Sequence, residues 1–409
     1  MKRTKKILAL LLAMVMLLGM VACGSNNSTT NNKTPENETT ANSDNSESTI
    51  PDNGNANTET EEDYNGKLVS EGMMKLEFAE LFSIELFKGG YRMISAGTGG
   101  HKYLVVPEGM TVPADLEDGI FVLQMPVENV YSASTSLISL ADAIGALDRI
   151  KLCATEYDSW QVPAVIAQMD AGKLAYSGSY KEPDYELMTA HAIQFHIDTT
   201  MVDSYPEVLD KFYELGIPSM VEDSSKETHP LGRVEWVKLL GALFGLEAEA
   251  DAYFAEQIER FNAAYTEESL GKTVAIGYIT TNGKCYARNG GDYIAQLAEM
   301  AGGDYICADM NPDKGGNTSM NFEEWYNLFV DADYLFYYNL GEKFYTVEDM
   351  IAYNPLFADF KAVQNGNVWI TCEGFSQKSA DIVGVITDMH TVLSSDDNTV
   401  TTDYIVKIS

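Results

Sequence analysis

The chain has 409 residues, with 61 acidic against 27 basic side chains and a formal net charge of −34. So acidic a protein is repelled by phosphate backbones, which argues against nucleic-acid binding. Hydrophobic residues make up 45% of the chain, enough for sizeable cores, and the length suits more than one domain. At the amino terminus, Lys2, Arg3, Lys5 and Lys6 precede an uncharged apolar run from Ile7 to Val21. That run is short of the ~20 residues a membrane span needs. A basic start, a short apolar run and the small residues of Val21-Ala22-Cys23-Gly24 describe an export leader over residues 1–22.

Residues 23–63 are almost wholly Asn, Thr, Ser, Glu, Asp and Gly, a composition that cannot bury enough apolar surface to fold and reads as a tether. From Tyr64 the pattern changes. Leu76, Phe78, Phe82, Ile84 and Leu86 alternate with polar residues, Lys88-Gly89-Gly90 reads as a turn, and Tyr91 to Ser95 and Lys102 to Val106 read as strands. Residues 64–124 are therefore expected to form a small β-rich extension. From Met125 short apolar strands alternate with helices, which argues for βαβ units and mostly parallel sheets. Predicted strands are Asn129 to Tyr131, Ile150 to Ala154, Ala192 to Ile197 and Pro218 to Val221. Predicted helices start after Ser134, which is placed to cap one ending near Ala143, and run over Tyr185 to Ala190 and Leu209 to Leu215. From Gly232 to Tyr265 the apolar residues fall on helical faces, and Glu247 to about Tyr265 has the spacing of one long amphipathic helix. Alternation resumes with strands at Thr273 to Ile279, Tyr334 to Tyr338 and Val368 to Ile370, and helices at Tyr293 to Met300 and Ile382 to Leu393. The expected fold is α/β: two Rossmann-like lobes, residues 125–231 and 266–409, joined by linker helices over residues 232–265 that include a single long α-helix.

Several segments carry a resemblance to a known family. Val130-Tyr131-Ser132-Ala133-Ser134-Thr135 is followed by Gly145-Ala146-Leu147-Asp148-Arg149-Ile150, and His229-Pro230-Leu231-Gly232-Arg233-Val234-Glu235-Trp236 by Gly241-Ala242-Leu243-Phe244-Gly245. Ala301-Gly302-Gly303, Asp331-Ala332-Asp333-Tyr334 and Ala362-Val363-Gln364-Asn365-Gly366-Asn367-Val368 come later. In order and spacing the chain from Met125 onward resembles the solute-binding proteins of iron-siderophore, haem and cobalamin ABC importers. Met20-Val21-Ala22-Cys23 resembles a bacterial lipobox, with Met20 where Leu is usual; this implies lipidation of Cys23 and anchoring at the extracellular face of the plasma membrane.

The resemblance implies a monomeric binder with its ligand between the lobes and no cofactor of its own, the ligand being a ferric siderophore, haem or cobalamin. It also implies permease docking through one surface glutamate per lobe, matched by Glu186 and by Glu323, with Glu324 as the neighbouring alternative. Loops after the strands point to ligand contacts, because open α/β sheets bind outside the carboxyl ends of their strands. These loops contribute Ser134, Tyr157, Trp160 and Tyr180 in the first lobe, and Tyr278, Tyr286, Arg288 and Phe375 in the second. Aromatic rings suit a planar or catecholate-rich ligand, and Arg233 and Arg288 suit an anionic one.

The same residues bear on other functions. His101, His191, His196, His229 and His390 are scattered and form no metal spacing, so no direct metal site is expected, although free zinc or manganese binding is the alternative ligand class. His229, or a tyrosine or methionine of the cleft, is the candidate ligand for haem iron. Cys153, Cys285, Cys307 and Cys372 fit no metal pattern and read as single thiols. No G-x-S-x-G or HExxH occurs, which leaves an enzyme without a visible nucleophile or metal site. A surface sensor or adhesin of the same fold is the remaining alternative.

Overall fold

A computed structural model describes residues 64–97, 100–395 and 400–409. The leader, Cys23, the tether and part of the Gly97–Gly100 turn lie outside the described residues. Within Thr58–Ser409, one compact unit, the chain builds three principal sheets.

The first is a five-stranded sheet in sequential order: β1 (Ser70–Met73), β2 (Phe82–Phe87), β3 (Tyr91–Ala96), β4 (His101–Val106) and β5 (Ile120–Gln124). The β2–β3 hairpin forms as its alternation predicts, and Gly89 and Gly90 turn it with φ of 76° and 81°, values that favour glycine. Strand β5, parallel to β4, is an addition to the expected pattern.

The second sheet is wholly parallel, in the order β12-β11-β6-β7-β8. Its strands are β6 (Val130–Ser132), β7 (Ile150–Cys153), β8 (Ala175–Tyr176), β11 (Phe195–Thr199) and β12 (Ser219–Glu222), with β9 (Gly178–Ser179) and β10 (Glu182–Pro183) forming a small hairpin beside it. Helices Thr135–Ala143, Pro163–Asp170, Tyr185–Ala190 and Pro206–Glu214 alternate with these strands. Ser134 caps the first of them, its Oγ accepting from the Leu137 amide at 3.2 Å.

Three helices, Pro230–Glu235, Val237–Phe244 and Glu247–Ala264, connect the second sheet to the third. Gly245, at φ 73°, ends the middle one in the left-handed region. The long helix buries Ala250, Phe254, Gln257, Phe261 and Ala264 at the predicted three- and four-residue spacing. At ~1.5 Å per residue it runs roughly 27 Å.

The third sheet is mixed: β13 (Lys272–Ile279), β14 (Cys285–Arg288), β15 (Gly303–Tyr305), β16 (Asn317–Met320), β17 (Tyr334–Tyr337), β18 (Val368–Thr371) and β19 (Ile405–Lys407), in the order β16-β14-β13-β17-β18-β19 with β15 also on β13. β13, β17 and β18 are the parallel centre; β14, β16 and β19 are antiparallel additions. Helix Ile382–Ser394, the last helix, packs against the long linker helix. The fold class is thus α/β as expected. Cys153, Cys285, Cys307 and Cys372 are all unpaired thiols.

Candidate functional site

The parallel strands of both lobes end near a common polar cluster. At the end of β12, Glu222 is buried, its Oε2 accepting from Ser134 Oγ at 3.0 Å and its Oε1 from the Ser224 amide at 2.8 Å. Burial pushes this carboxyl above the usual glutamate range, while the bonds from Ser224 and Ser134 and the Arg233 charge oppose the shift. Arg233, on the first linker helix, lays its guanidinium over the Tyr293 ring at 3.8 Å from the centroid. The Tyr338 phenol feels the charges of both Arg233 and Arg288, and burial holds it protonated. Arg288 ends β14 with its guanidinium 4.4 Å from the Tyr338 ring centre and 5.9 Å from that of Tyr278. Tyr278 and Tyr286 are cross-strand partners whose rings stack at 5.0 Å and 7°. Phe375 meets Tyr338 edge-on at 5.4 Å and 85°.

Arg288 is the most informative member. It is 8% exposed, its Nη1 lies 3.5 Å from Asp292 Oδ2, and its Nε has no hydrogen-bond partner. A buried donor left unmade is costly, so a guanidinium walled by aromatic faces with a spare N–H is fitted for an oxygen-rich acceptor.

Of the nine predicted ligand residues, Ser134, Arg233, Tyr278, Tyr286, Arg288 and Phe375 belong to this one network. Three do not. Trp160 is buried in the core, with its indole N–H donated to the Thr155 carbonyl at 3.1 Å. Tyr157 is 46% exposed and donates to Asp170 of its own lobe at 3.0 Å. Tyr180 packs edge-on against Tyr205 with the Lys181 ammonium over both rings. Glu222, Tyr293 and Tyr338 were missed, although Glu222 and Tyr338 stand at the strand ends that the carboxyl-edge rule selects.

Glu186 and Glu323 are both exposed, each in the first turn of its helix, Tyr185–Ala190 and Phe322–Phe329. Glu324 is engaged in a capping box with Asn321, so Glu323 is the freer of the two neighbours. His229 is no haem ligand in this arrangement. Its Nδ1 accepts from the Leu231 amide at 3.1 Å and its ring stacks on Phe78 at 4.5 Å, while burial lowers its pKa to about 4. Among the described residues no three His, Cys, Asp or Glu converge as a metal-holding group.

One constellation has the look of hydrolase chemistry. Ser219 Oγ lies 3.0 Å from His196 Nδ1, and His196 Nε2 lies 3.1 Å from Asp198 Oδ2. All three are at most 1% exposed, and the imidazole is stacked 3.7 Å from Phe212 and 5.0 Å from Tyr131. No substrate reaches it, and it is a core histidine with its polar partners.

A family model described as periplasmic binding protein matches residues 198–373. Over these residues the chain is similar to periplasmic binding proteins. The match runs from Asp198 in β11 past β18 and takes in the linker helices, Glu222, Arg233, Arg288 and Tyr338. Periplasmic binding proteins, to which this segment is similar, hold solutes rather than transform them. An uncharacterized lipoprotein of Methanocaldococcus jannaschii is 27% identical over 313 residues, 72% of each chain. Among solved structures, a periplasmic haem-binding protein from Pseudomonas aeruginosa superposes with a TM-score of 0.52 at 16% identity, over 69% of this chain and 98% of that one. A possible iron-binding, periplasmic solute-binding protein from Staphylococcus epidermidis gives 0.51 at 15% identity, over 66% and 99%. At these identities the likeness is one of fold.

Proposed function

We propose that this protein is the extracytoplasmic substrate-binding component of an ABC importer, held at the outer face of the plasma membrane through a lipid on Cys23. It captures an iron chelate, or a related haem or cobalamin ligand, between its two lobes and delivers it to the permease as a monomer. The observation carrying the reading is Arg288: a buried guanidinium with an unpartnered Nε, ringed by Tyr278 and Tyr338, where the lobes meet. That arrangement suits an acidic, ring-bearing ligand. Names of fold relatives, a haem binder and a possible iron binder, are consistent with such a cargo. So is the lipoprotein name of the archaeal relative.

The test is a titration of the compact unit beginning at Thr58. Tryptophan emission is followed against ferric hydroxamate and catecholate siderophores, haem, cobalamin, and free zinc and manganese. Saturable quenching by one iron chelate or tetrapyrrole at micromolar affinity or better is expected. Quenching by the free metals alone, or by nothing in the panel, counts against the reading.

A further inference from the structure

Between β18 and the last helix, the segment Gly374–Asp381 touches both lobes and the linker. Gln377 is buried, and both ends of its side-chain amide bond to backbone of the first lobe: Oε1 accepts from the Gln161 amide at 2.8 Å and Nε2 donates to the Ser159 carbonyl at 2.7 Å. Two residues on, Ser379 Oγ donates to Ser136 Oγ at 3.0 Å, and the Ala380 amide donates to Ser139 Oγ at 3.2 Å. A Cβ built on Gly374 would sit 2.5 Å from Gln161 Cβ, so the two lobes approach at a position where only glycine fits. The far end is tied elsewhere. The Ala380 carbonyl accepts from Tyr253, and Asp381 takes both Nη1 and Nη2 of Arg260, both partners being on the long linker helix. The same segment carries Phe375, which lies edge-on to Tyr338, the ring that covers Arg288.

We propose that Gly374–Asp381 is a latch that holds the lobes together over the Arg288 pocket, and that Gln377 is its releasable bond and a positioning residue for ligand capture. The inference rests on reading the inter-lobe cluster as the ligand site. The Gln377 amide has both partners only while the lobes are together, and water can replace them when the lobes part, so the bond is selective for the closed state yet modest in strength. The Arg260–Asp381 pair keeps the segment on the linker during opening. Movement of Phe375 with the segment then uncovers Tyr338 and Arg288.

The test needs no ligand. The whole chain and its Gln377→Met variant, which keeps side-chain volume but loses both hydrogen bonds, are treated with phenylglyoxal, and arginine labelling is read peptide by peptide by mass spectrometry. Arg288 is expected to label roughly tenfold faster in the variant, the factor that two modest hydrogen bonds are worth. Arg149, 27% exposed and paired with Glu128 outside the cluster, is expected to label at the wild-type rate. Arg288 labelling at the wild-type rate overturns the latch. So does a variant in which Arg149 accelerates equally, since that is general loosening. Failure of the ligand-site reading would appear instead in the wild-type titration, which does not involve Gln377.

Discussion

Glu222 shows what a single buried side chain contributes here. Its carboxyl is out of water at the end of β12, and burial raises its pKa despite the bonds from Ser224 and Ser134 and the nearby Arg233. The folded protein therefore holds this proton more firmly than the unfolded chain does. Its stabilising contribution is complete below the ordinary glutamate value of ~4.3 and is lost as pH rises through the raised folded value. Glu222→Gln keeps the shape and an acceptor for the Ser224 amide without the charge. Urea unfolding at pH 4 and pH 8 is expected to show the variant gaining on wild type as pH rises; a gap that does not widen with pH would refute this. His229 has the opposite sign. With its pKa lowered to about 4 it contributes stability above ~6.5 that is lost as pH falls through 4.

At the scale of elements, the N-terminal sheet is fastened to the lobe connection by an unusual strap. Five consecutive backbone amides, Glu77 to Leu81, donate to two buried carboxylates: Glu77, Phe78 and Ala79 to Glu235, and Glu80 and Leu81 to Glu227. Lys238 completes the shell of Glu235 at 2.8 Å, and a Cβ on Gly232 would meet the Phe78 carbonyl at 2.9 Å. Glu235→Ala strands three amides and a buried ammonium, and is expected to cost about 3–5 kcal/mol of unfolding free energy in a urea titration. A loss below ~1 kcal/mol, the median worth of a surface pair, would mean the strap is passive. None of this was readable beforehand, since the strap joins residues about 150 positions apart in sequence through backbone atoms. What was legible had local causes. Helices Tyr185–Ala190 and Tyr293–Met300 form over the residues expected, because capping by Asp184 and Asp292 is written into the chain. Strands β14, β16 and β19 were missed because they are short antiparallel pieces whose pairing comes from the sheet they join. The site divides the same way: the carboxyl-edge rule selects a loop but not the direction of a side chain. That is why Arg288 and Tyr278 fell in the cluster while Trp160, in an equivalent loop, turned into the core.

At the scale of the whole molecule, the proposed role turns on two surface charges, one on each lobe. The chain is acidic throughout at −34, so an isolated surface carboxylate means little by itself. Glu186 and Glu323 are exposed first-turn residues, one on each lobe, and Glu323 is free of the capping box that holds Glu324. If they register the protein on a permease, paired rim charges govern encounter and orientation more than the strength of ligand capture. The double charge reversal Glu186→Lys with Glu323→Lys is then expected to lower ligand uptake by at least tenfold in vesicles carrying the cognate importer, the cost of like charges at an interface being several kcal/mol. Ligand affinity in solution should stay within about twofold of wild type, because neither residue touches the Arg288 cluster and separated sites act independently. The same reversal at Glu182 and Glu348, exposed acids on the same two lobes, supplies the control for general loss of negative charge. Uptake reduced equally by both pairs would make the effect one of overall charge, steering at long range and screened by salt. Uptake reduced only by the Glu186 and Glu323 pair, and still reduced at high ionic strength, would locate the contact at those two residues.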